Sequence, residues 1–115
     1  MLFRSLFAGG DLEPSVQSEI LGMVSHVDIY KVSHHGSAYQ DQAFMDRLSP
    51  MISIISVGAG NSYGHPAAQT IAALVRLRSR IYRTDESGGI AITARAHHFN
   101  IHTSAGAWWQ KVRLG

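Results

Sequence analysis

Cysteine is absent from this 115-residue chain, which excludes disulfides and thiolate metal sites. Acidic residues are scarce, eight against ten Lys and Arg, and the sequence pI near 9.3 reflects that shortage rather than a basic stripe. Arg76, Arg78, Arg80 and Arg83 do cluster, with Arg95, Lys111 and Arg113 following; they read as a solvated helix end, with phosphate attraction as the alternative. No run in the sequence approaches the roughly 20 apolar residues needed to cross a bilayer. The first eight residues are too short and wrongly flanked for a signal peptide. They read instead as a strand that starts abruptly, as if cut from within a larger domain. The side chains left to anchor a metal are His, Asp and Glu, and seven histidines are many for this length.

Hydrophobic residues make up 45% of the chain, enough for residues 1–115 to bury a core as one domain. Residues 2–8 read as a strand closed by Gly9 and Gly10. Over residues 14–25 Val16, Ile20, Leu21 and Val24 recur at helical spacing behind Pro14. Residues 28–33 read as a second strand, and residues 40–48 as a short helix stopped before Pro50. Residues 51–57 are nearly continuously apolar, the signature of a strand covered on both faces. Residues 67–79 form a third helix beginning after Pro66. Residues 81–84 and 90–96 are strands joined by a predicted hairpin turn at 85–89, and residues 99–103 pair with the second of them. Trp108 and Trp109 read as packing anchors. The alternation of strands and helices predicts an α/β fold, a mixed sheet with helices on one face. In such sheets ligands bind outside the C-terminal ends of the strands.

Three polar clusters fall at those ends. Asp11 follows Gly9-Gly10, where a carboxylate can bridge two divalent cations or cap the next helix. His34 and His35 precede Gly36 and Ser37. If strand geometry continued, one imidazole would face the site and the other the scaffold. Gly36 permits close backbone approach, and Ser37 can donate to an anionic oxygen. His65 sits between Gly64 and Pro66, either as a metal ligand or as a residue bonded to backbone. Asn61 and Tyr63 are candidates for contacts to the substrate or to the ligating histidine. His26, His97, His98 and His102 lack such context and read as surface or strand residues.

The segments Gly10-Asp11, Lys31-Val32-Ser33-His34-His35-Gly36-Ser37, the run from Val57 through Asn61-Ser62-Tyr63-Gly64-His65-Pro66, and Tyr82-Arg83-Thr84-Asp85 together resemble the metallo-β-lactamase domain of ComEC-type competence proteins. The resemblance extends to about Thr93. It implies the C-terminal half of an αββα sandwich and a metal-dependent, nuclease-like hydrolase of a DNA-uptake protein. It further implies that Asp11 and His65 are metal ligands, and that His35 (His34 less so) is a proton donor or phosphate contact. A His-x-His-x-Asp-His motif belongs to the N-terminal half of that fold and is not in this sequence. On this reading zinc or manganese is shared with that half, and the chain alone lacks activity. DNA, single- or double-stranded, is the implied partner. The implied setting is a soluble domain attached to a bacterial inner-membrane protein, on its extracytoplasmic side.

Two alternatives stand beside this one. The chain can be a non-catalytic module that homodimerises through an open, apolar sheet face. It can also be half of another hydrolase of the same fold.

Overall fold

Alternation along two short strands decides the layering. In a computed structural model describing residues 4–105 and the backbone of 109–113, Tyr30, Val32, Ile55 and Val57 join one buried cluster while Ile29 and Ile52 join another. Strands β1 (Leu6–Ala8), β2 (Ile29–Lys31), β3 (Ile52–Ile55) and β4 (Arg80–Arg83) form a parallel sheet in that order. The crossovers carry helices α1 (Pro14–Glu19), α2 (Gln42–Leu48) and α3 (Ala68–Arg76). Phe44, Met45 and Leu48 of α2 and Ala73 and Leu74 of α3 pack with Tyr30, Val32, Ile55 and Val57. Phe7, Tyr30 and Phe44 meet as a three-ring group with centroids 5.5 to 6.3 Å apart. Each large side chain buried in this way contributes about 1.5–3 kcal/mol. Helices thus cover one face, as the apolar spacing predicts, and the α/β class holds.

The other face is covered too. After a one-turn helix, α4 (Thr84–Ser87), strands β5 (Ile90–Ala94), β6 (His98–Thr103) and β7 (Trp109–Arg113) build a separate antiparallel sheet. Its Phe99 and Ile101, with Ile90 and Ile92, pack against Ile29, Ile52, Ile54 and Tyr82. Parallel and antiparallel strands are both present but segregated. Two sequence expectations change as a result. The face proposed as open for homodimerisation is occupied by β5 and β6, leaving Leu6 on edge strand β1 exposed. The turn expected at 85–89 does not join paired strands, because β4 and β5 belong to different sheets. Tyr82 of β4 and Ile90 of β5 instead both pack against the cluster between the two sheets.

Several boundaries also move. The helix expected over 14–25 is α1 followed by a 3-10 turn, Leu21–Met23. The helix expected from Gln40 begins at Gln42. The first strand begins at Leu6; its expected start at residue 2, together with the Trp108 anchor, lies outside the described residues, as does the side chain of Trp109. Among the described residues, no helix is long and apolar enough to cross a membrane.

Candidate functional site

Parallel connections place the C-terminal ends of β1, β2 and β3 side by side, and the loops that follow are knitted together by backbone contacts. Gly9 N donates to Lys31 O at 2.9 Å and His34 N to Gly10 O at 2.7 Å. A Cβ on Gly9 would lie 2.2 Å from Ser33 Oγ, so only glycine lets β1 approach this turn. On the other side Ala67 N donates to Gly36 O at 2.8 Å. Gly36 adopts φ +75°, and a Cβ there would meet Pro66 Cβ at 2.8 Å. The His-His-Gly-Ser turn is therefore clamped between the other two loops.

That turn is not a continuation of β2. Residues Ser33–Gly36 form a 3-10 turn in which His34 (φ 51°, ψ 47°) and His35 (φ 54°, ψ 28°) both take the left-handed conformation. For side chains with a Cβ this costs about 1–2 kcal/mol per residue. Strand alternation therefore does not sort the two imidazoles; their rings lie 6.3 Å apart, nearly perpendicular. The cost is met by anchors on either side. Tyr30 Oη lies 2.8 Å from Ser33 Oγ and accepts from Ser33 N at 3.2 Å, while burial pushes the phenol pKa up. Gln17, fully buried, donates to Leu12 O at 2.9 Å and to Gln40 Oε1 at 3.1 Å, and accepts from Asp41 N at 2.7 Å. Gln40 in turn donates to Ser33 O and Ser37 O at 3.0 and 3.2 Å. Thr70 of α3 donates to Ser37 O at 2.6 Å.

The sequence-predicted residues now take positions. His35 Nδ1 lies 2.7 Å from Ser56 O. A carbonyl only accepts, so Nδ1 carries the proton and neutral His35 keeps a free lone pair on Nε2. That Nε2 lies 4.0 Å from Asp11 Oδ1. His34 instead neighbours His65, with ring centroids 6.2 Å apart, and Tyr63 stacks on His65 at 5.9 Å. Asp11 and His65, the two expected ligands, thus each have a histidine neighbour. Asn61 uses its whole amide within its own loop. Nδ2 donates to Gly58 O at 3.0 Å and His65 O at 2.7 Å, and Oδ1 accepts from Tyr63 N at 3.2 Å and His65 N at 3.1 Å. Ser37 is buried, and its hydroxyl makes a long 3.4 Å bond to Tyr39 O.

His34, Ser37 and His65 line a cleft of about 460 Å³ together with Glu13, Pro14 and Tyr39. This favours His34 over His35 as the imidazole that faces the cleft, while His35 faces Asp11. Tyr39 and Glu13 are additions that the sequence reading missed, as are Gln17, Gln40 and Thr70 behind them. Gln17 did carry a signal: it is a polar side chain beside Val16 and Ile20 on a helix that packs on the core. Thr84 ties the end of β4 to the residue after β3, its hydroxyl accepting from Val57 N at 2.7 Å and donating to Val57 O at 2.8 Å. Beside it Arg83 forms a two-bond pair with Asp85, at 2.6 and 3.0 Å, and lies 3.1 Å from Glu86. The Arg83 guanidinium holds the Asp85 carboxyl below the usual carboxylate range. Arg76 ends α3, Arg78 lies in the turn that follows and Arg80 begins β4, at the opposite end of the sheet from the cleft.

Among the described residues, no three of His, Cys, Asp and Glu gather so as to hold a metal ion. These residues place the imidazoles of His34 and His65 on the cleft and hold that of His35 beside it through Ser56 O.

The fold and site define an α/β domain with a histidine-bearing cleft at the C-terminal ends of its parallel strands. A stretch of 84 residues, 70% of this chain, is 37% identical to ComE operon protein 3 of Bacillus subtilis (strain 168). The matched stretch amounts to 11% of that protein, so the chain spans only a small part of the length of this relative. No family model and no solved structure matches the chain.

Proposed function

We propose that this chain is part of a competence protein that takes up DNA, and that its cleft is one wall of a phosphodiester-hydrolysing centre. The observation that carries this reading is the clustering of His34, His35, His65 and Asp11 on interlocked loops, combined with the likeness to ComE operon protein 3. Two left-handed histidines in succession support it, since strained backbone of this kind collects at working sites. The chain fits the C-terminal half of a metallo-β-lactamase domain. The N-terminal half is the partner that completes the zinc or manganese ligands and, with them, the activity. When bound, such metals lower the pKa of water and neutralise charge on the leaving oxygen.

The chain's own residues do the positioning. His35, its Nδ1 fixed on Ser56 O, presents the Nε2 lone pair to a proton, and once protonated there it donates Nε2–H to a phosphate oxygen. His34 and His65 face the cleft, Tyr63 backs His65, Asn61 holds that loop in shape, and Ser37 shapes the cleft floor. On this proposal the parent is a bacterial inner-membrane protein carrying this domain on its extracytoplasmic side.

The test compares cleavage of labelled DNA, with added zinc or manganese, by this chain alone and by the chain extended with the preceding segment of its parent. The chain alone should be inactive. The extended form should cleave, and His35→Ala or His65→Ala should lower the rate by about 100-fold or more. An extended, folded form that cleaves no DNA with either metal would refute the proposal.

A further inference from the structure

The cleft is framed by the wrong charges for a simple phosphate site. No lysine or arginine lines it, Glu13 does, and exposed Asp11 lies beside the neighbouring His35. Its distinguishing feature is aromatic. Among the described Phe and Tyr rings, Phe7, Tyr30, Phe44, Tyr82 and Phe99 are buried or half-buried, whereas Tyr39 and Tyr63 are 78% and 81% exposed. Both exposed rings belong to the same site. Tyr39 lines the cleft, and Tyr63 lies on His65, itself a lining residue, at 5.9 Å with planes only 19° apart. Stacked on one side and open on the other, Tyr63 is a stack awaiting its next member.

The backbone beneath these rings is fixed. Tyr39 is bracketed by Gln69 donating to Ala38 O at 2.9 Å and by Gln40 held to Ser33 and Ser37. Asn61 accepts from Tyr63 N at 3.2 Å. An exposed aromatic ring on ordered backbone loses little conformational freedom when it meets a planar ligand, so the contact is pre-organised. The ligand chemistry that matches is a planar, uncharged ring of broad identity joined to something the imidazoles can address. That is a nucleobase on a strand. In a duplex both faces of each base are covered by its neighbours, so these rings are usable only by unpaired bases.

We propose that Tyr39 and Tyr63 form a base-stacking platform at the mouth of the cleft, which therefore takes a single DNA strand and discriminates against duplex. This rests on the reading of the cleft as a nucleic-acid site and adds to it the form of the strand. Stacking rather than ion pairing supplies the discrimination, so it persists as salt is raised.

Fluorescence anisotropy with the 115-residue chain, in excess chelator to prevent cleavage, tests it with three labelled probes. These are a short oligothymidylate, an abasic strand of equal length and a duplex of equal length. Oligothymidylate should bind at least about ten-fold more tightly than the other two. Tyr39→Leu and Tyr63→Leu should each lose about ten-fold for oligothymidylate and little for the abasic strand, whereas Tyr39→Phe and Tyr63→Phe should stay within about two-fold of the parent. Equal binding of the abasic strand or the duplex, or Leu variants that bind like the parent, would overturn the stacking platform while leaving a nucleic-acid site standing. If no probe binds at all, the platform falls together with the reading of the cleft as a nucleic-acid site.

Discussion

Asn61 offers the sharpest trial of how the cleft is held, because its two substitutions separate size from polarity. Its amide makes four hydrogen bonds, two donated to Gly58 O and His65 O and two accepted from Tyr63 N and His65 N. Each half-exposed bond of this kind is worth about 0.5 kcal/mol net, the low end for proteins because water competes. Asn61→Ala therefore removes about 2 kcal/mol of loop order, which corresponds to about a 30-fold rise in opening. Because residues 58–65 can open with the core intact, loss of global stability is capped at about the same value. Asn61→Asp conserves shape and both acceptor bonds, yet turns a carboxylate oxygen toward the carbonyls of Gly58 and His65, which cannot donate. It should be no better than alanine. Hydrogen exchange at the Tyr63 and His65 amides, read beside urea denaturation, measures both effects. If Asn61→Asp kept those two amides as protected as in the parent protein, the orientation of the amide and the reasoning built on it would be wrong.

Two further perturbations probe the scaffold around the cleft. Gly36→Ala places a Cβ 2.8 Å from Pro66 Cβ at φ +75°, and should cost about 2–4 kcal/mol in chemical denaturation; a loss under about 0.5 kcal/mol would mean that the two loops are not locked at this point. Asp85, its carboxyl pKa lowered by Arg83, contributes stability that is present above its unfolded value of about 3.9 and is lost as pH falls through the folded value. Asp85→Asn should therefore be about 1 kcal/mol less stable than the parent near pH 6, with the difference vanishing toward pH 2. A gap unchanged with pH would remove the ion pair as its cause.

Much of the architecture was legible because the responsible physics is local. Helical spacing of Val16, Ile20 and Leu21 and the proline before α3 marked the crossovers, and the apolar run at β3 marked a strand buried on both faces. The partition of strands between two sheets was not legible. Period-two patterning at Tyr82 and at Ile90 and Ile92 is identical whether two strands pair edge to edge or stack face to face. Similarly, the strand expected to Ser33, with alternation carried into His34 and His35, ends at Lys31, since nothing in a His-His pair announces two left-handed residues. That conformation is held by Gly9 and Pro66, packed on the turn from distant parts of the chain, and by the Tyr30 hydroxyl bonded to Ser33.

The order of elements from β1 to β4 and the C-terminal placement of the three polar loops follow from the sequence alone, because periodicity, glycine and proline act within a few residues. Which imidazole faces the cleft, which carries its proton on Nδ1, how Tyr39 and Tyr63 come to be the exposed rings, and which side chains cover the second sheet face are decided only in three dimensions. Each depends on contacts between segments about 20 to 90 residues apart, such as His35 with Ser56 and Arg4 with Ala96. No local pattern encodes such contacts, since they exist only once close packing has brought the segments together.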